Sequence, residues 1–244
     1  MVANDQRGLK NAIAGALDWL IANNQRLPMT IVDLAVYHGV KTPDFYLRVL
    51  YTWVNDLSKG EVTQNEFVDK MAELIDQQLT RAWHEGMRAN ELTPNDMDAE
   101  LQDQLTEIIT NEYMYVDQFA ADIAGGKYSL AQLQNRAAIW ANRYNDVVNQ
   151  AKLATAGLKD KYEWIYGDTE HCDTCADLNG LVATAKEWEI SGIKPQNPPN
   201  GNLSCGGWKC QCRLQPTTKR RSTKVLDTLL TIGMKSGKHL LGAK

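Results

Sequence analysis

The first 171 residues of this 244-residue chain contain no cysteine, which excludes disulfides and thiolate-bound metals from that part. The chain also lacks any run of about 18 uncharged apolar residues, so we expect no membrane-spanning segment and no membrane partner. Its polar start, Met-Val-Ala-Asn-Asp-Gln-Arg, is not followed by the apolar stretch of a secretory signal. These absences predict synthesis and residence in a reducing cytoplasm.

Familiar catalytic motifs are absent as well. There is no His-x-Glu ahead of a cysteine pair, as zinc deaminases require, and no His-Glu-x2-His. Gly125-Gly126 lacks the Lys-Ser/Thr continuation of a phosphate-binding loop, and His84 has no evident triad partner. We therefore predict no catalytic residue, no small-molecule substrate, and a protein that is not an enzyme.

Helical periodicity dominates the first two-thirds of the chain. Apolar residues recur at helical spacing in segments 9–21, 30–39, 43–60, 63–89, 94–124 and 129–151. Thr63 with Glu66 and Ser129 with Gln132 have the form of capping boxes. The aromatic and methionine stripes of these helices are interpreted as core.

The period changes near residue 160. Short strands are predicted at 162–166, 181–184 and 211–214, with a short helix that Thr184 caps and Gly192 ends. The predicted fold class is α+β: a mostly helical N-terminal body with a small zinc-stabilised β-rich C-terminal module. The predicted parts are an N-terminal helical segment (1–60), a long-helix body (61–159), a cysteine-rich zinc module (160–216) and a basic tail (217–244).

Charge is unevenly distributed. Residues 216–244 contain seven Lys or Arg residues and one acidic residue, Asp227, which gives this segment a charge of +6. Because the whole chain has a net charge of −4, the remaining residues carry −10. The tail is expected to lie outside both cores. Two interpretations stay open, a contact with nucleic acid or an acidic protein face, and a solvated terminus.

All five cysteines lie in one 41-residue window, which is rich in glycine and proline. Such a segment buries little apolar surface, and a pair with Cys-x2-Cys spacing can deliver two thiolates to one ion. We predict a structural zinc site. The candidate metal ligands are Cys172, Cys175, Cys205, Cys210 and Cys212.

Four thiolates suffice for zinc, so one of the five is spare. Cys172, Cys175 and Cys205 are the firmest candidates, while Cys210 and Cys212 compete for the fourth place. His171 is an alternative ligand, or an exposed loop histidine. A disulfide pair is the rival interpretation, which the odd number of cysteines disfavours.

A catalytic zinc is a further alternative. It would need three protein ligands, an open fourth position and a nearby general base. The acidic residues of the loop are candidates for that base, although acidic loop residues are usually only solvated: Asp168, Glu170, Asp173 and Asp177.

The cysteine-rich segment resembles the bacteriophage Mu F-type head-morphogenesis family. The resemblance rests on Asp168-x2-His171-Cys172-x2-Cys175-x2-Leu178-Asn179-Gly180, on Trp188, Gly192 and Pro195, and on Leu203-x-Cys205-Gly-Gly-Trp-Lys-Cys210-Gln-Cys212-Arg213-Leu214. It covers about residues 160–216. Many members have a histidine before the late cysteines, whereas Cys205 occupies that region here, which favours an all-cysteine site.

The resemblance implies a minor head protein of a tailed phage or prophage, located in the virion head and, during assembly, in the host cytoplasm. Its partners would be the portal and other head proteins, and DNA is a candidate partner through the basic tail. The implied cofactor is a structural zinc. Alternatives from the residues are a zinc-ribbon-like nucleic-acid-binding protein and a metal-dependent hydrolase.

Overall fold

The structure is a computed structural model that describes residues 42–231, except positions 169, 197, 199, 209, 224, 226 and 230. The helices predicted at 9–21 and 30–39 lie outside the described residues. The described chain is mostly helical, with one small antiparallel sheet. Its contacts define two compact units, Met1–Leu74 with Tyr113–Ala141, and Ile75–Glu112 with Asn142–Lys244.

Within residues 42–160, five helices and one short 3₁₀ turn precede the sheet. They are α1 (Thr42–Ser58), α2 (Gln64–Arg88), the 3₁₀ turn (Pro94–Asp96), α3 (Ala99–Tyr113), α4 (Val116–Ala124) and α5 (Leu130–Ala154). No helix among the described residues is both long and apolar enough to cross a membrane.

Both predicted capping boxes are confirmed. The backbone N–H of Thr63 donates to Glu66 Oε2 at 2.9 Å, and the N–H of Glu66 returns a bond to Thr63 Oγ1 at 3.2 Å. Ser129 and Gln132 exchange the equivalent bonds at 2.9 and 3.4 Å. These pairs satisfy N–H groups that a helix start otherwise leaves unpaired, so they fix where α2 and α5 begin.

The single helix predicted over 94–124 is wrong. The chain forms a 3₁₀ turn and then two helices, α3 and α4, which are separated at Met114 and Tyr115. The apolar periodicity runs through this break. The buried residues of α3 belong to the second unit and those of α4 to the first, so tertiary packing overrides the continuous pattern.

Aromatic side chains fill the core of the first unit. The ring of Phe119 lies 6.0 Å from that of Phe67 and 5.0 Å from that of Trp140. The guanidinium of Arg136 covers the Phe119 ring at 4.9 Å and pairs with Asp122 at 2.5 Å. The predicted interpretation of these stripes as core is therefore correct for these residues.

In the second unit, α2 and α5 approach closely at Gly86. A methyl group there would collide with the side chain of Ala151 and the carbonyl of Val148. Near this contact, Tyr144 Oη donates to Glu85 Oε2 at 2.6 Å. The glycine therefore allows the two long helices to support the module that follows.

The C-terminal module has three short strands and two short helices: β1 (Lys161–Ile165), α6 (Asp173–Leu178), β2 (Val182–Thr184), α7 (Ala185–Ser191) and β3 (Arg213–Pro216). The sheet order is β2-β1-β3, both pairs antiparallel. Helix α7 begins and ends as predicted, with Thr184 as its cap and Gly192 at φ 64°. The prediction missed α6 and placed the last strand two residues early.

Both edges of this sheet are covered. On the β3 edge, Leu214 N–H donates to Asn149 Oδ1 at 3.3 Å, and Lys152 Nζ donates to the Leu214 carbonyl at 3.2 Å. On the β2 edge, Val182 N–H donates to Ser222 Oγ and Ser222 N–H donates to the Val182 carbonyl, both at 2.9 Å. These bonds occupy groups that would otherwise offer a template for another strand.

Residues 217–222 form a strap that crosses the sheet. Lys219 Nζ pairs with Glu163 at 2.7 Å, and Arg221 forms a forked pair with Glu187. Hydrogen bonds from Arg221 lower the pKa of Glu187 to about 2. Two cations of the basic tail are thus paired within the chain.

The tail was expected to lie outside both cores, and for its first part this is wrong. Val225 is 0% and Leu229 2% exposed, and both pack in the same core as Trp164 and Cys175. The sequence pattern showed only a weak amphipathic stretch here. The strap carries the chain across the sheet, so that this stretch can bury its apolar residues.

We predict that Leu229→Ala lowers the free energy of unfolding by about 2–5 kcal/mol, because it removes a buried side chain. The matched control is Leu158→Ala, since Leu158 is 88% exposed, and its effect should stay within about 0.5 kcal/mol. Urea unfolding of both variants measures the difference. Equal effects would mean that the C-terminal segment is not part of the folded core.

Candidate metal centre

Three separate segments bring the five cysteines together. Cys172 is the residue before α6 and Cys175 lies in its first turn, so the Cys-x2-Cys pair sits at a helix start. Cys205 lies in the turn between α7 and β3, and Cys210 and Cys212 directly precede β3. The fold therefore assembles every cysteine that the sequence analysis singled out.

The sulfur atoms form two overlapping groups, each compact enough to hold a metal ion. In the first group are Cys172, Cys175 and Cys205, and in the second are Cys175, Cys210 and Cys212. Within each group the sulfurs lie within 4.8 Å of one another. Cys175 belongs to both groups and is therefore the centre of the cluster.

Two sulfur–sulfur distances bracket the value of a tetrahedral site. Cys175 Sγ lies 3.4 Å from Cys172 Sγ and 4.0 Å from Cys210 Sγ. Zinc–sulfur bonds of about 2.3 Å in a tetrahedron would separate the sulfurs by about 3.8 Å. Each group therefore contains one sulfur pair spaced close to the separation that a tetrahedral zinc site requires.

Burial separates the five thiols into two kinds. Cys175, Cys210 and Cys212 are buried, whereas Cys172 and Cys205 are partly exposed. Thiolates buried without a counter-ion are costly, so a cation would stabilise this cluster. The arrangement could hold a metal ion, with the buried thiols shielding one side of that ion from solvent.

Backbone N–H groups point at three of the sulfurs. Gly207 N–H contacts the Cys205 sulfur, Cys212 N–H contacts Cys210, and Gly167 N–H contacts Cys212. Hydrogen bonds of this kind favour the thiolate form, which is the metal-binding form.

The thiols also shift one another's pKa values. Hydrogen bonds with Cys175 and Cys210 lower the pKa of Cys205 to about 2, and the same two partners lower that of Cys212 to about 2. Hydrogen bonds with Cys205, Cys210 and Cys212 raise the pKa of Cys175. A bound cation would take the place of the thiol protons, because metal binding requires the deprotonated form.

His171 lies at the rim of the cluster. Its Nδ1 is 3.8 Å from Cys212 Sγ, and its ring stacks on Tyr166 with centroids 3.7 Å apart. The side chain is exposed and belongs to neither metal-competent group. The four acidic residues considered as general bases, Asp168, Glu170, Asp173 and Asp177, are exposed as well.

The sequence analysis missed the polar residues that join the segments. Thr174 N–H donates to Ser204 Oγ at 3.2 Å, and Ser204 N–H donates to Thr174 Oγ1 at 3.0 Å. This reciprocal pair links α6 to the turn that carries Cys205. Thr174 directly precedes Cys175, and Ser204 directly precedes Cys205. The two residues are 30 positions apart, and no local sequence pattern predicts that they form hydrogen bonds with each other.

Gly167 lets the segment after β1 approach the segment that carries Cys210 and Cys212. A side chain at Gly167 would overlap the backbone of Gln211, the residue between those two cysteines. Only glycine leaves room there, so the close approach depends on this position.

We predict that Gly167→Ala displaces Gln211 and weakens metal binding, measured as zinc retained after gel filtration. Gly157→Ala is the matched control, because a methyl group there meets the side chain of Asp160, with the nearest oxygen at 3.1 Å. If both alanine variants retain equal zinc, the approach of Gly167 to Gln211 is not needed for the site.

Comparison with known proteins gives no further assignment: no family model matches the chain, and no curated protein or solved structure matches it significantly. The likeness to the Mu F-type family therefore stays a prediction from the motif of residues 168–214.

Proposed function

We propose that the five-cysteine cluster binds one structural zinc ion that holds the C-terminal module together. The observation that carries this proposal is the convergence of all five thiols of the chain, with Cys175 common to both groups. Zinc suits the donor set because it accepts four thiolates in a tetrahedron without redox chemistry. The module needs such a link, since its strands have only three to five residues.

The proposed ion would be bound by four of the five thiols. Cys175 is a ligand in every such set that we propose, because it is the member shared by both groups. Which of the others is spare is left open by the distances. The sequence alternative, in which Cys210 competes with Cys212, is one of the possible choices.

We further propose that the chain is a minor head protein of a tailed phage or prophage and associates with the portal during head assembly. This proposal rests on the likeness of residues 168–214 to the Mu F-type family. The cluster supports it because the motif's cysteines meet in space, as a shared structural module would require. In this proposal the zinc ion stabilises the C-terminal module, and the role in assembly requires no catalytic residue.

The strap weakens the alternative of a nucleic-acid-binding tail. Lys219 and Arg221 pair with Glu163 and Glu187, so these cations already have partners within the chain. Arg220 is exposed between them. A phosphate backbone would have to compete with two carboxylates for the paired side chains.

We expect about one zinc per chain in protein purified without added metal. A strong chelator should make residues 160–216 sensitive to protease while the far-UV helical signal is largely kept, because the helical body contains no thiols. The control is the same chelator saturated with zinc beforehand. Protease resistance that is unchanged after complete metal removal would contradict the structural role.

The assembly role predicts that the chain co-purifies with the portal protein of its own phage. Deleting its gene should give defective or non-infectious heads, and Cys175→Ser should reduce incorporation because it removes the common ligand. Infectious titre measures both effects. A normal titre after clean deletion would refute the assembly role and leave the zinc proposal untouched.

A further inference from the structure

Gln196 has an unusual backbone conformation close to the cysteine cluster. It follows α7 in the loop that leads towards Cys205, and its φ is 57°, in the left-handed region. Residues other than glycine pay a conformational cost there, and such strain persists only where the surroundings impose it. Gln196 is also only 4% exposed, although glutamine is mostly a surface residue.

The amide of Gln196 holds the backbone of a cysteine. Its Nε2 donates to the carbonyl of Cys212 at 2.6 Å. The opposite amide orientation would place two oxygens at that distance, so only the N–H can face the carbonyl. Its Oε1 is buried and has no partner among the described residues, so retaining this side chain carries a desolvation cost.

Three contacts now fix Cys212 from different sides. Its carbonyl accepts from Gln196, its N–H contacts the Cys210 sulfur, and its own sulfur accepts from Gly167 N–H. The sulfurs of Cys210 and Cys212 both lie within 4.8 Å of that of Cys175. Fixing the Cys212 peptide sets the rotation of the segment that carries Cys210 and Cys212 and directs both sulfurs towards Cys175.

We propose that Gln196 is a positioning residue that makes Cys212 a metal ligand. The inference rests on the proposed zinc site and adds two things to it: a residue outside the cysteine motif on which metal affinity depends, and the assignment of Cys212 to the ligand set. The strain and the unpaired oxygen are costs that this role explains, since groups that orient the ligands strongly affect metal affinity.

Gln196→Met tests the proposal because methionine has similar length and leaves the backbone strain in place while removing the amide. We expect zinc affinity, measured by competition with a chromophoric chelator, to fall about 10–100-fold. In the cobalt-substituted protein, the thiolate-to-cobalt absorption should weaken or shift, which a merely local loss of stability would not cause. Unchanged affinity and an unchanged cobalt spectrum would overturn the proposal.

Gln78→Met is the matched control. Gln78 is 1% exposed in α2, a helix that carries no cysteine, so its loss should lower thermal stability without changing zinc affinity or the cobalt spectrum. If Gln196→Met does not yield soluble protein, Gln196→Ala removes the same amide without added bulk and serves in its place.

A double-mutant cycle with Cys212→Ser decides whether Gln196 acts through Cys212. We expect Gln196→Met to cause no further loss of zinc affinity in the Cys212→Ser background. Equal losses in both backgrounds would overturn the assignment. Wild-type protein that binds neither zinc nor cobalt would refute the metal site itself, a result distinct from failure of the positioning role.

Discussion

The meeting of five thiols around Cys175 is the constraint on which the C-terminal module depends. Its strands are three to five residues long and its helices six and seven, so regular structure alone fixes little of it. The cysteines join the start of α6, the turn at Cys205 and the segment before β3. Trp164 and Trp188 pack against each other, with rings 5.8 Å apart, in the same buried cluster as the cysteines. The tryptophans and the thiol cluster therefore share one core, which apolar packing stabilises and the proposed ion would stabilise further.

The strap completes this core from the other side. Its ion pairs lie on β1 and α7, Ser222 covers the β2 edge, and the chain then buries Val225 and Leu229. Exposed ion pairs contribute little stability singly, but here they hold a segment whose apolar residues supply the larger gain. The ion pairs of Lys219 and Arg221 thus hold the chain where Val225 and Leu229 can be buried. Counting its lysines and arginines as a free cationic patch overstates what is available to a partner.

The parts of the fold that local rules govern were predictable from the sequence. Thr63 with Glu66, Ser129 with Gln132, and Thr184 with Gly192 mark helix ends because caps and left-handed glycines act within a few residues. The break at Met114–Tyr115 was not predictable, since the apolar period continues through it. The cysteine set could be read from composition. Gln196, Ser204 and Gly167 could not, because their roles depend on contacts with residues distant in the chain.

The donor set favours a structural ion over a catalytic one within the proposed function. A catalytic zinc keeps an open position for water or substrate, and it gains from neutral ligands that leave the metal electron-poor. Here the two groups of three sulfurs share Cys175, so a thiolate of one group is the nearest candidate for a fourth position on an ion held by the other. Four thiolates would also give the centre a net negative charge, which weakens its ability to polarise a carbonyl or to acidify water. The exposed Asp168, Glu170, Asp173 and Asp177 would then have no activated water to deprotonate. If the cluster binds zinc as proposed, the same coordination that would stabilise the module therefore argues against the hydrolase alternative.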